Sequence, residues 1–268
     1  MRRYTLTMTS YTDAMTLTFG DVAENHTRMQ KLGGLSEHGF SLDDLNHISG
    51  YFDNCEIIDL KEYIGEEFEH LKATTEDAHV LIIKNGINQM FEDEFFSDKL
   101  YNEQARLERD TKAVMYGRVV NKHARHNLCF GYESQEPDYE NGKGRVYAFN
   151  ELPYLNQVLE KFYEITGKSG TDLYAEGNYY YNPSKTGIGY HGDTERRVVM
   201  GVRLGVSVNL CYGWYYGGKP AGEKVAMPTL EHGDIYIMSE KAVGNDWKKK
   251  KILTLRHAAG CKKYTMIE

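Results

Sequence analysis

The sequence predicts an α+β protein whose core is a double-stranded β-helix, or jelly roll, with supporting helices on one face. Three observations predict it. One long segment, 151–168, carries apolar residues at helical spacing. From residue 178 onward, short Tyr-, Val- and Ile-rich runs alternate with Gly, Pro, Asn and Asp. Tyrosine, at 21 of 268 residues, supplies rings that pack and hydroxyls that bond, as sheets lining a polar pocket require. One helix followed by many short strands favours a sheet sandwich, and a jelly roll is its closed form.

The elements follow in order. The first hundred residues read as a mainly helical N-terminal extension to which the sequence assigns no role. Ser41, followed by Asp43 and Asp44, is a helix cap. Leu60, Tyr63, Ile64, Phe68 and Leu71 form a helical stripe over 59–71. Residues 80–88 fit a strand or a short buried helix equally. Residues 117–127 are basic and polar, without a helical stripe. In the long helix Pro153 occupies the first turn, Gly167 lies near the end, and Leu155, Val158, Leu159, Phe162 and Ile165 share one face. Strands are expected at 178–182, 198–212, 234–239, 252–258 and 263–267, with a bend at Gly205.

Composition narrows the function classes. With 41% hydrophobic and 26% charged residues the chain is ordinarily globular. It has no apolar run of bilayer-spanning length and no secretory signal at 1–4, so a soluble intracellular protein, cytoplasmic or nuclear and without membrane association, is expected. The cysteines Cys55, Cys129, Cys211 and Cys261 lack CxxC spacing, which argues against a zinc ribbon or thioredoxin-like site. A net charge of −7 makes the chain as a whole a poor polyanion binder. Basic residues nonetheless gather at 118–126, at Arg196 and Arg197, and at 248–251, leaving DNA or RNA as a possible partner of a local surface.

The stretch with most chemistry is 187–195, containing His191-x-Asp193. In extended backbone, residues i and i+2 face one side, so an imidazole and a carboxylate can reach one ion. A second histidine would complete a facial triad with open positions. The motif is unspecific by itself: ten histidines in an acidic chain are expected to yield about one such match by chance. Its surroundings sharpen it. Asn178-x-Tyr180 before His191-x-Asp193, the strand 199–205 ending in Leu204-Gly205, and Gly233-Asp234 leading to Met238-Ser239 occur together in this order. Together they resemble the AlkB-like family of iron(II)- and 2-oxoglutarate-dependent dioxygenases. The resemblance runs from about residue 116 to the C-terminus, and the oxygenase domain is placed at 101–268. It implies Fe(II) as metal, 2-oxoglutarate as co-substrate, O2 as oxidant, and contacts from Asn178 and Tyr180 to 2-oxoglutarate.

The family's second histidine follows the Met-Ser strand near a tryptophan. Here Lys249 stands two residues past Trp247, at the expected position. Two alignments compete. In one, a longer loop makes His257 the third ligand beside His191 and Asp193. Lys263 and Thr265 then hold the distal carboxylate of 2-oxoglutarate, with Arg256 available to Asp193, to the co-substrate or to substrate. In the other, 253–256 is the family's following strand, the iron histidine is missing, and the site is degenerate. The first keeps a complete ligand set in order and is preferred.

Residues 117–127 resemble the family's substrate-recognition lid. Arg118, Lys122 and Arg125 are candidates for phosphate contacts, His123 and Tyr139 for contacts to a base, and Glu195 for the substrate side of the iron motif. A solvated hairpin whose charges serve only solubility fits the same residues equally well. The resemblance implies oxidation of alkylated or methylated bases, by dealkylation or hydroxylation, as in DNA repair and demethylation. A protein or small-molecule hydroxylase is the alternative, and a non-catalytic binding module with a degenerate iron site is the third.

Overall fold

The computed structural model describes residues 11–167 and 172–267. The start at 1–4 and Lys168, at the expected end of the long helix, lie outside the described residues. The chain opens on β1 (Ala14–Gly20), β2 (Val22–Glu24) and β3 (Lys31–Gly33). There follow α1 (Leu42–Ser49), β4 (Cys55–Asp59), α2 (Glu69–Lys72), β5 (His79–Ile83), α3 (Gly86–Phe91) and α4 (Phe96–Ala105). A hairpin of β6 (Lys112–Met115) and β7 (Arg118–Asn121) leads to β8 (His126–Gly131), β9 (Val146–Ala148) and α5 (Pro153–Thr166). Then come β10 (Tyr174–Tyr180), β11 (Gly187–His191), β12 (Val199–Gly205), β13 (Asn209–Tyr216), β14 (Lys219–Pro220) and β15 (Val225–Ala226). The chain ends on β16 (Ile235–Met238), α6 (Glu240–Val243) and β17 (Thr254–Gly260).

Among the described residues, two larger sheets carry the architecture. The first runs β4-β5-β16-β12-β1-β10-β8-β9, antiparallel except for its β8–β9 edge. The second runs β11-β17-β13-β14, with β15 also paired to β13. Strand alternation gives the first sheet two buried faces. Met15, Leu17 and Phe19 of β1 and Met200, Val202 and Leu204 of β12 pack with α1 and α5 through Leu45, Leu155, Val158 and Phe162. On the opposite face, Val199, Tyr236 and Met238 meet Leu210, Tyr212, Trp214 and Leu255 of the second sheet. The molecule is therefore a sheet-rich α+β protein, with helices on one face of its large sheet and a second antiparallel sheet on the other. No helix among the described residues is long and apolar enough to cross a membrane.

Local sequence explains several elements directly. Ser41 and Asp44 form a reciprocal capping box on α1. Helix α5 starts at Pro153, buries the five expected apolar residues, and ends where Gly167 takes φ +63°. The expected long strand over 198–212 is divided into β12 and β13 at Gly205, where φ is +78° and a Cβ would lie 2.3 Å from the Asp13 carbonyl oxygen. Residues 79–83 resolve as strand β5 because β4 and β16 pair with both of its edges.

Three expectations change. The stripe over 59–71 breaks into short 3-10 turns and α2, because Gly65 leaves the helix to donate its N–H to the Ala221 carbonyl. Residues 263–267 form a turn beyond β17, not a strand. Nor does the chain divide at residue 100 into a mainly helical extension and a sheet domain: β1, β4 and β5 are integral to the large sheet. Strand β1 lies between β10 and β12, with Thr16 opposite both Asn178 and Arg203.

Candidate metal centre

Two strands of the smaller sheet and the loop after β11 bring the candidate ligands together. His191 ends β11 directly across from His257 of β17, after a register shift between Ile188 and His191. Such an irregularity re-aims side chains at the end of a strand. Asp193 lies two residues on, outside the strand, where its N–H donates to the Val243 carbonyl. Asn245 steadies this loop by donating to the Thr194 and Arg196 carbonyls at 3.0 and 3.1 Å. Gly192 is required there, since a Cβ would lie 2.2 Å from the Gly244 oxygen. The segment expected to supply the histidine thus supports the loop, while Lys249 is exposed.

The donor atoms of His191, Asp193 and His257 all lie within 4.8 Å of one another. Asp193 Oδ1 is 3.4 Å from His191 Nε2 and 3.9 Å from His257 Nε2. Donors about 2.1 Å from one ion stand roughly 3.0–3.4 Å apart, so slight contraction would suit a first-row divalent metal. The Nδ1–H of His191 donates to the Gly189 carbonyl at 2.8 Å, leaving Nε2 as the free lone pair facing Asp193. On chemistry and spacing the three residues fit such an ion.

Electrostatics keep the donors in ligand form. Burial alone would raise the Asp193 carboxyl, but the Arg196 guanidinium and both imidazoles outweigh it and hold the group well below the usual carboxylate range. Burial, reinforced by His191, pushes His257 down to about 3, so its ring is neutral at physiological pH. Arg196 is the hub of this arrangement. Its Nη2 lies 2.7 Å from Glu176 Oε2 and 3.4 Å from Glu195 Oε1, and its Nε lies 3.6 Å from Asp193 Oδ2.

The triad opens on a cavity of ≈ 110 Å3 between the two sheets. That is room for a small organic ligand rather than one water. Ile188, Val199, Leu210, Met238 and Ala259 form apolar walls; Thr16, Thr18, Asn178, Tyr180 and Tyr236 supply polar groups; Glu24, His26, Arg125 and Glu195 also line it. Asn178 Oδ1 accepts from Arg125 Nε and from Asn127 Nδ2, which orients its amide.

Of the expected site residues, the structure gathers His191, Asp193, His257, Asn178, Tyr180, Arg125 and Glu195 around one cavity. The others stand elsewhere. Lys263 is exposed in the turn after β17 and Thr265 is buried beside Cys261, so neither lines the cavity. Arg256 is one residue from His257 and therefore on the other face of β17, where it stacks 3.9 Å from the Tyr215 ring centre. Lys122 is engaged by Asn25 Oδ1 at 2.5 Å and Asn127 Oδ1 at 3.0 Å, and burial pushes its ammonium down to about 8. Tyr139 donates to Asp110 at 2.6 Å. Arg118 and His123 are exposed away from the cavity.

Sequence reasoning missed Thr16, Thr18, Glu24, His26, Glu176 and Tyr236, and treated Arg196 as surface. Thr16 and Thr18 alternate with Met15, Leu17 and Phe19, a period-2 signal that could have exposed β1 as a two-faced strand. The four cysteines are free; Cys129 and Cys211 are buried and Cys55 and Cys261 half-buried.

No family model matches the chain. It is 49% identical over 262 residues to a protein of Acanthamoeba polyphaga mimivirus described as "Uncharacterized protein R156", and the match covers 96% of this chain and 99% of that protein. Similarity of that degree over nearly the whole of both chains means that this protein belongs to the same family as the mimivirus protein.

Proposed function

We propose that this chain is an iron(II)- and 2-oxoglutarate-dependent oxygenase built on an AlkB-like jelly roll. The observation that carries the reading is the convergence of His191, Asp193 and His257, from separated stretches, beside a partly apolar cavity. The two-sheet arrangement and the order of the Asn-x-Tyr, His-x-Asp and Met-Ser segments support the finer fold and family reading.

In this reading His191 Nε2, Asp193 and His257 would hold the metal. Bound iron supplies oxidation of a substrate carbon, coupled to conversion of 2-oxoglutarate and O2 to succinate and carbon dioxide. The chain's part is positioning. Arg196 keeps Asp193 ionised and fixes its direction. Asn178, held by Arg125 and Asn127, and the phenol of Tyr180 offer hydrogen bonds to the co-substrate. Val199, Leu210 and Met238 keep water from the reacting space.

For the substrate, the second reading gains ground. Of six residues expected to touch a nucleic acid, Arg125 and Glu195 line the cavity, while Lys122 and Tyr139 are engaged by internal partners. A hydroxylase acting on a protein or small molecule fits this better than a base dealkylase.

The test is an anaerobic titration of the protein with Fe(II) and 2-oxoglutarate, followed by the visible metal-to-ligand absorption band. The band is expected for the wild type. Its absence, together with no 2-oxoglutarate turnover in air, would leave the non-catalytic reading. Formaldehyde release from a methylated oligonucleotide would restore the nucleic-acid substrate.

A further inference from the structure

Arg203 is a charged side chain in a place that offers it no partner. Strand β12 alternates: Met200, Val202 and Leu204 enter the core beneath the helices, while Val199, Gly201 and Arg203 face the second sheet. Val199 lines the cavity from that face. Arg203 is 0% exposed, and none of its Nε, Nη1 and Nη2 atoms has a hydrogen-bond partner among the described residues. Asp234, the neighbouring acid, is taken: its oxygens accept from the backbone N–H groups of Asn85 and Glu231 and from Lys84.

The groups beside Arg203 point to an anion. Thr16 is its register partner on β1. The charge of Arg203 acts on the phenols of Tyr180 and Tyr236, and Thr16, Tyr180 and Tyr236 all line the cavity. The Tyr236 ring lies across Gly201, where a Cβ would be 2.0 Å from it, so the phenol sits on the same face as Arg203. A buried guanidinium retains its charge and its five donors, and burial without an anion is costly. Arg203 does not itself line the cavity; an acid entering it would meet the three hydroxyls, with the guanidinium fork buried behind them.

We infer that Arg203, flanked by Thr16, Tyr180 and Tyr236, is the receptor for a carboxylate of a small organic acid bound in this cavity. It does what Lys263 and Thr265 were expected to do. Naming the acid as 2-oxoglutarate rests on the oxygenase reading; the receptor does not.

The experiment compares 2-oxoglutarate with 2-oxobutyrate, which lacks the distal carboxylate. Both are titrated calorimetrically into the full chain loaded with Mn(II). The wild type is expected to prefer 2-oxoglutarate by about 100-fold, the scale of a charge-assisted bidentate pair. Arg203→Met is expected to reduce the preference to about threefold or less, and Arg203→Lys to keep an intermediate preference. Succinate without metal is expected to raise the melting temperature of the wild type and not of Arg203→Met, whose ligand-free form melts no lower than the wild type. Retention of the full preference by Arg203→Met, or loss of succinate stabilisation in the wild type, overturns the inference. If Mn(II) fails to bind while succinate still stabilises only the arginine form, the oxygenase reading falls and the receptor stands. If Arg203→Met does not fold, an unreduced preference in Arg203→Gln overturns the receptor and a reduced one supports it.

Discussion

Replacing Arg196 with Met tests the electrostatic frame of the candidate centre. The Arg196 side chain is 4% exposed, and Glu176, Asp193 and Glu195 crowd it at 2.7, 3.6 and 3.4 Å. Met fills much of the volume but leaves three largely buried carboxylates facing one another. Breaking a buried pair by removing one partner costs about 3–5 kcal/mol. A loss of that size is expected in the unfolding free energy measured by urea titration. A Glu176→Gln change on that background removes one stranded charge and should recover part of the loss. The same substitution of Arg196 removes the charge that most favours ionised Asp193. Mn(II) affinity should therefore fall by roughly 10–100-fold, the usual effect of losing an outer partner of a metal ligand. Its pH midpoint should move upward, because Asp193 would release its proton at higher pH. A stability loss below about 1 kcal/mol with unchanged Mn(II) affinity would refute this account of Arg196.

Other outcomes follow from the same geometry. His257→Ala should abolish the visible band in the Fe(II) and 2-oxoglutarate titration, whereas Lys249→Ala, in an exposed position, should leave it unchanged. Lys263→Met should not change 2-oxoglutarate affinity measured calorimetrically, since Lys263 is exposed in the turn after β17. Gly201→Ala should displace the Tyr236 ring and destabilise the protein by about 1–3 kcal/mol in chemical unfolding, the scale of overpacking. In metal-free protein, the folded state keeps His257 neutral down to about 3, while the unfolded chain protonates near 6.5. Between those limits the unfolded state binds more protons, so stability falls as pH falls, by up to about 1.4 kcal/mol per pH unit from this residue. Above pH 6.5 the residue contributes nothing, and His257→Gln should flatten that part of the profile.

The sequence alone determined the features that depend on neighbouring residues. The capping box at Ser41 and Asp44, the apolar stripe of α5, the bend at Gly205 and the pairing of His191 with Asp193 all arise within a few residues of chain, where spacing and backbone preference decide the outcome. His257 was preferred to Lys249 because it keeps a complete ligand set in order, but its arrival beside His191 required the register between β11 and β17. What only the tertiary structure decided is long-range. Residues from before position 25 entered the middle of the large sheet, carrying Thr16 and Thr18 to the cavity. Arg256 and His257, adjacent in sequence, went to opposite faces of one strand. Arg196, indistinguishable from Arg197 by composition, became the buried hub of three carboxylates. Charge and periodicity do not encode those outcomes locally, because they depend on which strand pairs beside which, and on the face each strand turns toward its partner sheet.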